Sequence, residues 1–255
     1  VRLSACRRRD GGGVEADLEH LGDGRVETVV CPWVLGADGA HSTVRHEAGI
    51  AFPGSSFERE WHLVDVPLEV DLAPERGHIH LLEGGGFVFM IPVIDERSGE
   101  AGAVPHWRVI ADGPDPVAHL PIPVQAGAPV WSSAFTVSHR LCGSYGERGV
   151  YLAGDAAHIH SPIGARGMNL GIEDAWVFAG LAARGALARY DAQRRPVGRA
   201  VVRRVERLSR VVASHALAVR FVRRFFFPAL IGLPPVRRRV LPTVVGLDHD
   251  LPDLG

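Results

Sequence analysis

The chain has 255 residues, of which 46% are hydrophobic and 22% are charged. This composition is typical of a folded globular protein and excludes an intrinsically disordered one, which needs lower hydrophobicity and higher charge. The three Cys residues are widely spaced, which argues against a disulfide framework and against a Cys-x-x-Cys metal or redox pair. We therefore expect a cytoplasmic protein without a metal site.

The formal net charge of −1 conceals two regions of opposite sign. Residues 1–184 contain 14 Arg and 24 acidic residues, whereas residues 185–255 contain 14 Arg and 5 acidic residues. The basic region favours helices with solvated Arg faces, with nucleic acid or anionic lipid as alternative partners. We expect no nucleic acid as a partner. The apolar, basic segment Arg220–Gly232 is too short and too charged to span a bilayer, so we expect at most a weak contact with a membrane surface.

The first fifty residues predict two strands joined by a glycine turn and then a tight turn and a short helix. These elements are expected at Val14–Leu18, Arg25–Leu35, Gly36–Gly39 and Ser42–Ala48, with Gly49 closing the helix. A second strand–turn–helix segment begins with the strand Gly149–Ala153, a continuous apolar run of the kind buried in a parallel sheet. It ends at Gly154-Asp155, and Gly167–Ala183 has the apolar spacing of a helix.

Between these two parts, the segment Phe57–Phe135 contains short apolar runs separated by Gly and Pro. This pattern predicts a mostly antiparallel sheet inserted into an α/β domain. The segment Asp112–Pro129 contains five prolines and is expected to be a loop. Further along the chain, Pro196 is predicted to be the first residue of an amphipathic helix.

Two motifs carry a resemblance to a known family. Gly36–Arg45 (GADGAHSTVR) resembles the "DG" motif of flavoprotein aromatic hydroxylases, and Tyr151–His158 (YLAGDAAH) resembles their "GD" motif. The continuation Ser161–Ala175 is similar to the flavin-facing loop and helix of that family. Both motifs occur in the family's order, with a β-rich insert between them, so the resemblance is specific.

The resemblance implies an α/β fold: an incomplete Rossmann-like FAD/NAD(P)-binding domain with an inserted, mostly antiparallel β-sheet substrate domain and C-terminal helices. The expected boundaries are 1–52 and 141–190 for the two parts of the FAD-binding domain, 53–140 for the substrate domain and 191–255 for the C-terminal amphipathic helices. We expect the family's N-terminal Gly-x-Gly-x-x-Gly segment to be missing, because Gly11–Gly13 follows an Arg run. The chain would then hold the ribityl and isoalloxazine parts of the flavin.

The chemistry of the second motif agrees with flavin binding. A carboxylate accepts hydrogen bonds from ribityl hydroxyls, so Asp155, at the turn that Gly154 opens, is predicted to hold the ribityl chain. Reduced flavin carries negative charge at its pyrimidine edge, which unpaired amides at the start of a helix stabilise. Gly167, Met168 and Asn169 are the predicted donors.

By family analogy, Pro162 lies against the isoalloxazine ring and Gly164 allows a close backbone approach. Asp38 and Arg45 belong to the segment that supports FAD and nicotinamide pyrophosphate, and Arg45 is the predicted phosphate contact. Simpler alternatives stay open: Asp38 caps the helix after it, Asp155 is a turn residue and Arg45 is a surface arginine.

The resemblance implies an FAD-dependent monooxygenase that uses NAD(P)H and O₂ to hydroxylate an aromatic, phenolic or quinone-like small molecule. A halogenase- or reductase-type FAD oxidoreductase and a truncated, non-catalytic flavoprotein remnant are the alternatives. Arg166 either stabilises the reduced flavin or faces solvent. The substrate wall is expected among aromatic and neighbouring residues of the inserted sheet, most of which core packing is expected to claim: Trp61, His62, Phe87, Phe89, Met90 and Trp107.

Overall fold

The computed structural model describes residues 1–94, 104–162 and 166–212, and positions 214, 216, 217, 219, 233–235, 238 and 249–252. The strands are β1 (Arg2–Arg8), β2 (Val14–Glu19), β3 (Val26–Cys31), β4 (Val34–Gly36), β5 (Gly54–Glu69), β6 (His78–Leu81), β7 (Phe87–Val93), β8 (His106–Ala111), β9 (Gln125–Ala126), β10 (Trp131–Leu141), β11 (Gly146–Glu147), β12 (Val150–Leu152) and β13 (His158–Ile159). The helices are α1 (Thr43–Glu47), α2 (Gly167–Ala183) and α3 (Tyr190–Val212), with 3₁₀ turns at Gly154–Ala156 and Leu187–Arg189. In the described part, no helix combines the length and apolar character needed to cross a bilayer.

The chain forms two compact units. Unit 1 contains residues 1–55, 138–207 and 238–255, and unit 2 contains residues 56–137 and 208–237. Helices and sheets are both present in unit 1, which confirms the predicted α/β class. The segment 220–232, whose membrane contact the sequence left open, lies outside the described residues.

Unit 1 has two small sheets. The first, β1-β2-β3, is antiparallel, and the second has the order β11-β12-β4 with β4 and β12 parallel. The predicted single strand Arg25–Leu35 is in fact two strands that separate at Pro32, because proline has no N–H to donate to a strand ladder. Gly36 and Leu152 are register partners at the ends of β4 and β12, so the two motif turns leave the sheet at the same edge.

The core of unit 1 forms where α2 and the start of α3 pack on β12. Phe178 of α2 makes edge-to-face contacts with Tyr151 and Tyr190, with ring centroids 5.5 and 5.4 Å apart. The Tyr190 hydroxyl donates to the carbonyl of Leu152 at 3.0 Å. Burial of these large rings supplies a favourable hydrophobic free energy of about 2 kcal/mol each, and it fixes both helices against the strand.

The start of α3 differs from the prediction. The helix begins at Tyr190, so the prediction that Pro196 is its first residue is wrong. The buried Tyr190 ring and the carboxylate of Asp191, which accepts from the amide of Tyr145 at 2.7 Å, hold the chain in the helical conformation six residues earlier. The helix tolerates Pro196 at the cost of one backbone hydrogen bond. Its amphipathic character is as predicted, with Val201 and Val205 buried.

A cluster of buried charged side chains joins four elements of unit 1. Asp174 of α2 has no exposed surface, and its carboxylate accepts from the amide of Gly154 (3.1 Å), from Nε2 of His158 (2.8 Å) and from Nε of Arg194 (2.7 Å). Arg194, on α3, also donates to Glu173 at 3.0 Å. Each of these ions loses several kcal/mol of hydration on burial, so each must be paired. The pairing fixes the 3₁₀ turn, β13, α2 and α3 together.

Unit 2 is built on the sheet β10-β5-β8-β7-β6, in which β5–β8, β8–β7 and β7–β6 are antiparallel. Its two faces differ. One face is aliphatic around Trp107 and Met90 and is covered by Val117, Leu120 and Val124 of the proline-rich loop. The other carries the aromatic contacts of Trp61 with Phe87 and Phe135, at centroid distances of 4.7 and 6.3 Å. The predicted antiparallel insert is therefore confirmed.

We predict that Gly198→Ala destabilises the protein by about 2 kcal/mol, because a Cβ at Gly198 would overlap the buried hydroxyl of Tyr145. On an exposed helix face the same change stabilises by about 1 kcal/mol. The sign of the change in the free energy of unfolding therefore distinguishes a packing effect from an effect of helix propensity. Urea unfolding measures the effect. Tyr145→Phe removes the overlapping atom, and the double variant should recover most of the loss. A stabilised single variant would contradict the prediction.

We also predict that Asp174→Asn lowers the free energy of unfolding by about 3 kcal/mol, because it leaves the buried Arg194 with half of its compensating charge. Urea unfolding, with the exposed Asp10→Asn as the control, provides the measurement. Adding Arg194→Met to Asp174→Asn should restore stability, since it removes the buried charge that lost its partner. A loss below 1 kcal/mol in the single variant would mean that the cluster is not coupled in this way.

Candidate functional site

The GD turn packs closely on the first two turns of α2. Gly154 has a φ of +58°, in the left-handed region that glycine adopts without strain. A Cβ added to Gly171 would lie 3.3 Å from the Cα of Gly154, so the absence of side chains at both positions permits the contact. The hydrogen bond from the Gly154 amide to Asp174 fixes this approach. Sequence reasoning anticipated the glycine turn but not its attachment to Asp174.

The next residue, Asp155, points its carboxylate to solvent. It is exposed, and it has no hydrogen-bond partner among the residues that the structure describes. Its neighbour Ala156 is completely buried, so the backbone of the turn is fixed while the carboxylate is free to bind. This arrangement suits a carboxylate that accepts hydrogen bonds from the hydroxyl groups of a ligand.

The two motif helices begin differently. In α1, Oγ of Ser42 accepts from the amide of Arg45 at 3.0 Å, and Oδ2 of Asp38 accepts from the amide of Val44 at 3.1 Å. The N-cap of α2 is Arg166, and among the described residues no side-chain capping hydrogen bond is found there. Amides in the first turn of a helix lack intrahelical acceptors. At the start of α1, Ser42 and Asp38 supply acceptors for two of these amides, whereas the start of α2 presents its partial positive charge to a ligand.

The predicted donors Gly167, Met168 and Asn169 form that first turn of α2. The side chains of Met168 and Asn169 are exposed, and Met168 reaches 76% exposure. The structure therefore brings the three predicted donors within one to two helical turns of Gly171, which contacts the GD turn. Pro162 is half-buried on the loop before the helix, and Gly164 lies outside the described residues.

The two DG residues predicted to support the cofactor take part in internal contacts. Asp38 caps α1, which is the simpler alternative that the sequence left open. Arg45 donates through Nη1 to the carbonyl of Ala156 at 2.9 Å and through Nη2 to that of Ala40 at 2.8 Å. Its guanidinium also lies 3.9 Å from the ring centre of Phe52. Arg45 is thus a bridge between the DG and GD turns, not a surface arginine.

His160 lies beside the start of α2. Its Nδ1 is 2.9 Å from the carbonyl of Ser161 and donates to it, which leaves Nε2 as a buried acceptor with no partner in the described part of the chain. Burial lowers the pKa of His160, so the ring is neutral at neutral pH. A Cβ on Gly167 would come within 3.8 Å of this ring.

Sequence reasoning missed the buried residues that support the site. Asp174 lies on the helix face that also carries the buried Leu170, Val177 and Phe178, and a charged residue on an apolar face signals a buried partner. Arg166 is 2% exposed, so the expectation that it faces solvent is wrong. Its guanidinium contacts the ring of His249 at 3.4 Å, a contact between residues far apart in the sequence.

The predicted substrate wall in unit 2 is largely core. Trp61, Phe87, Met90 and Trp107 are each at most 2% exposed, so core packing claims these four residues, as expected for most of the set: their rings and side chains fill the two faces of the sheet. Phe89 and His62 are half-buried and accessible. His62 lines a cavity of about 410 Å³ within unit 2, together with seven other residues: Glu60, Leu82, Gly85, Asp112, Gly113, Pro114 and His119.

Comparison with known proteins identifies relatives of the chain. Residues 4–205 match the family described as FAD binding domain. The chain is 31% identical to 6-methylpretetramide 4-monooxygenase of Streptomyces rimosus, with 94% of this chain and 45% of the relative aligned. It is 30% identical to pentachlorophenol 4-monooxygenase of Sphingobium chlorophenolicum, with 81% and 41% aligned.

The chain is also similar to a solved structure of an aromatic hydroxylase. The chain superposes with a TM-score of 0.71 on CabE, an aromatic hydroxylase from angucycline biosynthesis, at 27% identity and with 97% of this chain and 52% of CabE covered. The chain thus spans about half the length of the relatives it matches. The family match covers most of the chain and agrees with both motifs, and the chain therefore belongs to the FAD-dependent aromatic hydroxylase family.

Proposed function

We propose that the protein is an FAD-dependent monooxygenase that uses NAD(P)H and O₂ to hydroxylate an aromatic, phenolic or quinone-like small molecule. The observation that supports it best is the pairing of an exposed Asp155 carboxylate with the uncapped start of α2, held together by Gly154, Gly171 and Asp174. One group that accepts from hydroxyls and another that stabilises negative charge fit the two ends of a ribityl-flavin.

The residues that would hold FAD have separate roles. Asp155 accepts hydrogen bonds from the ribityl hydroxyls, and the amides of Gly167, Met168 and Asn169 face the pyrimidine edge, where reduction places negative charge. Pro162, on the loop before α2, would border the ring. When bound, FAD supplies the transfer of electrons from the nicotinamide and of one oxygen atom from O₂, the other oxygen leaving as water.

The names of the relatives favour this reaction over the alternatives. They are a 6-methylpretetramide 4-monooxygenase, a pentachlorophenol 4-monooxygenase and an aromatic hydroxylase, whereas a halogenase or reductase would differ in what it does with the reduced flavin. The parallel pair β4–β12 corresponds to part of a Rossmann-like sheet, with both motif turns at its edge. In unit 2, Phe89 and His62 are the wall residues best placed to contact a substrate.

The roles of Asp38 and Arg45 become indirect in this proposal. Asp38 fixes the start of α1, and Arg45 couples the DG turn to the carbonyl of Ala156, next to Asp155. Burial lowers the pKa of Arg45, and the Asp38 carboxylate opposes that shift. Both residues therefore determine where Asp155 lies without contacting the nucleotide themselves.

We predict that Asp155→Ala weakens FAD binding by roughly tenfold to a hundredfold, since hydrogen bonds to a charged group contribute about 1.5–3 kcal/mol. The change in visible absorbance during titration with FAD measures the dissociation constant. Asp10→Ala, at another exposed turn, is the matched control and should bind FAD normally. An unchanged dissociation constant for Asp155→Ala would remove this residue from the site and leave the proposed function without its main support.

We predict that Arg45→Ala lowers both FAD affinity and the free energy of unfolding, the latter by about 3 kcal/mol, because two charge-assisted hydrogen bonds and a buried stacking contact are lost. Urea unfolding and FAD titration give the two quantities, and the exposed Arg199→Ala serves as the control. Slower flavin reduction by NAD(P)H with unchanged stability and FAD affinity would instead show that Arg45 binds the nicotinamide phosphate.

A further inference from the structure

A row of polar contacts leads from the start of α2 into the buried charge cluster. Nη2 of Arg166, the N-cap residue, is 3.4 Å from Nδ1 of His249. Nε2 of the same ring is 2.8 Å from Oε2 of Glu173, and that oxygen also accepts from Nη2 of Arg194 at 3.0 Å. A residue near the end of the sequence thus joins the N-terminus of α2 to the core of unit 1.

The donors and acceptors in this row have one consistent arrangement. A guanidinium only donates and a carboxylate only accepts, so Nδ1 of His249 must accept from Arg166 while Nε2–H donates to Glu173. A ring that contacts a donor at one nitrogen and an acceptor at the other links the position of Glu173 to that of Arg166.

The charge of Arg166 is retained although the side chain is buried. Burial lowers the pKa of Arg166, and the Glu173 carboxylate opposes that shift. Arginine does not lose its proton in proteins, so the residue at the N-cap of α2 carries a full positive charge. The helix itself contributes the equivalent of roughly half a charge at this end, so the charge of Arg166 is the larger of the two.

We propose that His249 is a positioning residue that holds the Arg166 guanidinium at the N-terminus of α2, and that this charge stabilises reduced flavin relative to oxidised flavin. The inference rests on the proposed function, since it requires FAD at this helix terminus. Its origin is the pair of contacts made by one imidazole ring, which link the Arg166 guanidinium to the Glu173 carboxylate. Arg166 raises the reduction potential of the bound flavin, and His249 holds the Arg166 side chain in position.

The test is a spectroelectrochemical titration of FAD bound to the purified protein, with the affinity for oxidised FAD measured in parallel. Arg166→Gln should reduce the preference for reduced flavin about tenfold, which lowers the midpoint potential by about 30 mV for a two-electron couple, and Arg166→Lys should keep most of it. His249→Phe, which can neither accept nor donate, should shift the potential in the same direction.

Two further variants show whether the hydrogen bonds of His249 are responsible. His249→Gln keeps an acceptor and a donor and should restore the potential of the unmodified protein. His46→Phe, at a ring with 88% exposure of its side chain, is the matched control and should leave the potential unchanged. A purely structural loss weakens the binding of oxidised and reduced flavin equally, so it does not alter the potential.

The outcomes separate the two proposals. A lower potential in Arg166→Gln and His249→Phe, with normal values in His249→Gln and His46→Phe, supports the inference. Bound FAD with an unchanged potential in Arg166→Gln or in His249→Phe overturns it and leaves the proposed function standing. Failure of the unmodified protein to bind FAD overturns both.

Discussion

The carboxylate of Asp174 is the contact on which the arrangement of unit 1 depends. It binds the amide of Gly154, the ring of His158 and the guanidinium of Arg194 at distances of 2.7 to 3.1 Å. Because Asp174, His158 and Arg194 are completely buried, none of these three side chains can exchange its partner for solvent without a cost of several kcal/mol. One side chain therefore determines the distance of the GD turn from α2 and the packing of α3 behind it.

The parallel pair β4–β12 extends this constraint to the other motif. Because their last residues are register partners, the turns that follow both strands emerge together, and Arg45 then joins the second turn to the first. The DG segment uses its polar groups for capping and bridging, while the GD segment leaves Asp155 and the start of α2 unsatisfied. The two similar strand–turn–helix segments thus differ: the first uses its polar groups in internal contacts, and the second leaves a carboxylate exposed at the proposed FAD site.

Local sequence patterns predicted much of this structure, and long-range contacts account for what they missed. The apolar strand before Gly154-Asp155 and the helical spacing after Gly167 correctly predicted β12 and α2, because both patterns depend on neighbouring residues. The start of α3 was misplaced since Tyr190 is fixed by contacts with Leu152 and Tyr145, more than thirty residues away in the sequence. Which aromatic residues of the inserted sheet lie in the core stayed open, because alternation in a strand does not say which face is covered.

The buried charges of unit 1 are better explained by geometry than by stability. Replacing a buried ion pair with apolar residues of similar volume is often neutral or stabilising, so folding alone gives no reason to keep Asp174, Arg194 and Arg166 buried together. Such pairs do differ from apolar packing in one respect: they fix atoms by direction as well as by distance. The proposed flavin-binding terminus of α2 would need that precision, because the field of an amide or a guanidinium at a ring edge changes steeply within a few ångströms.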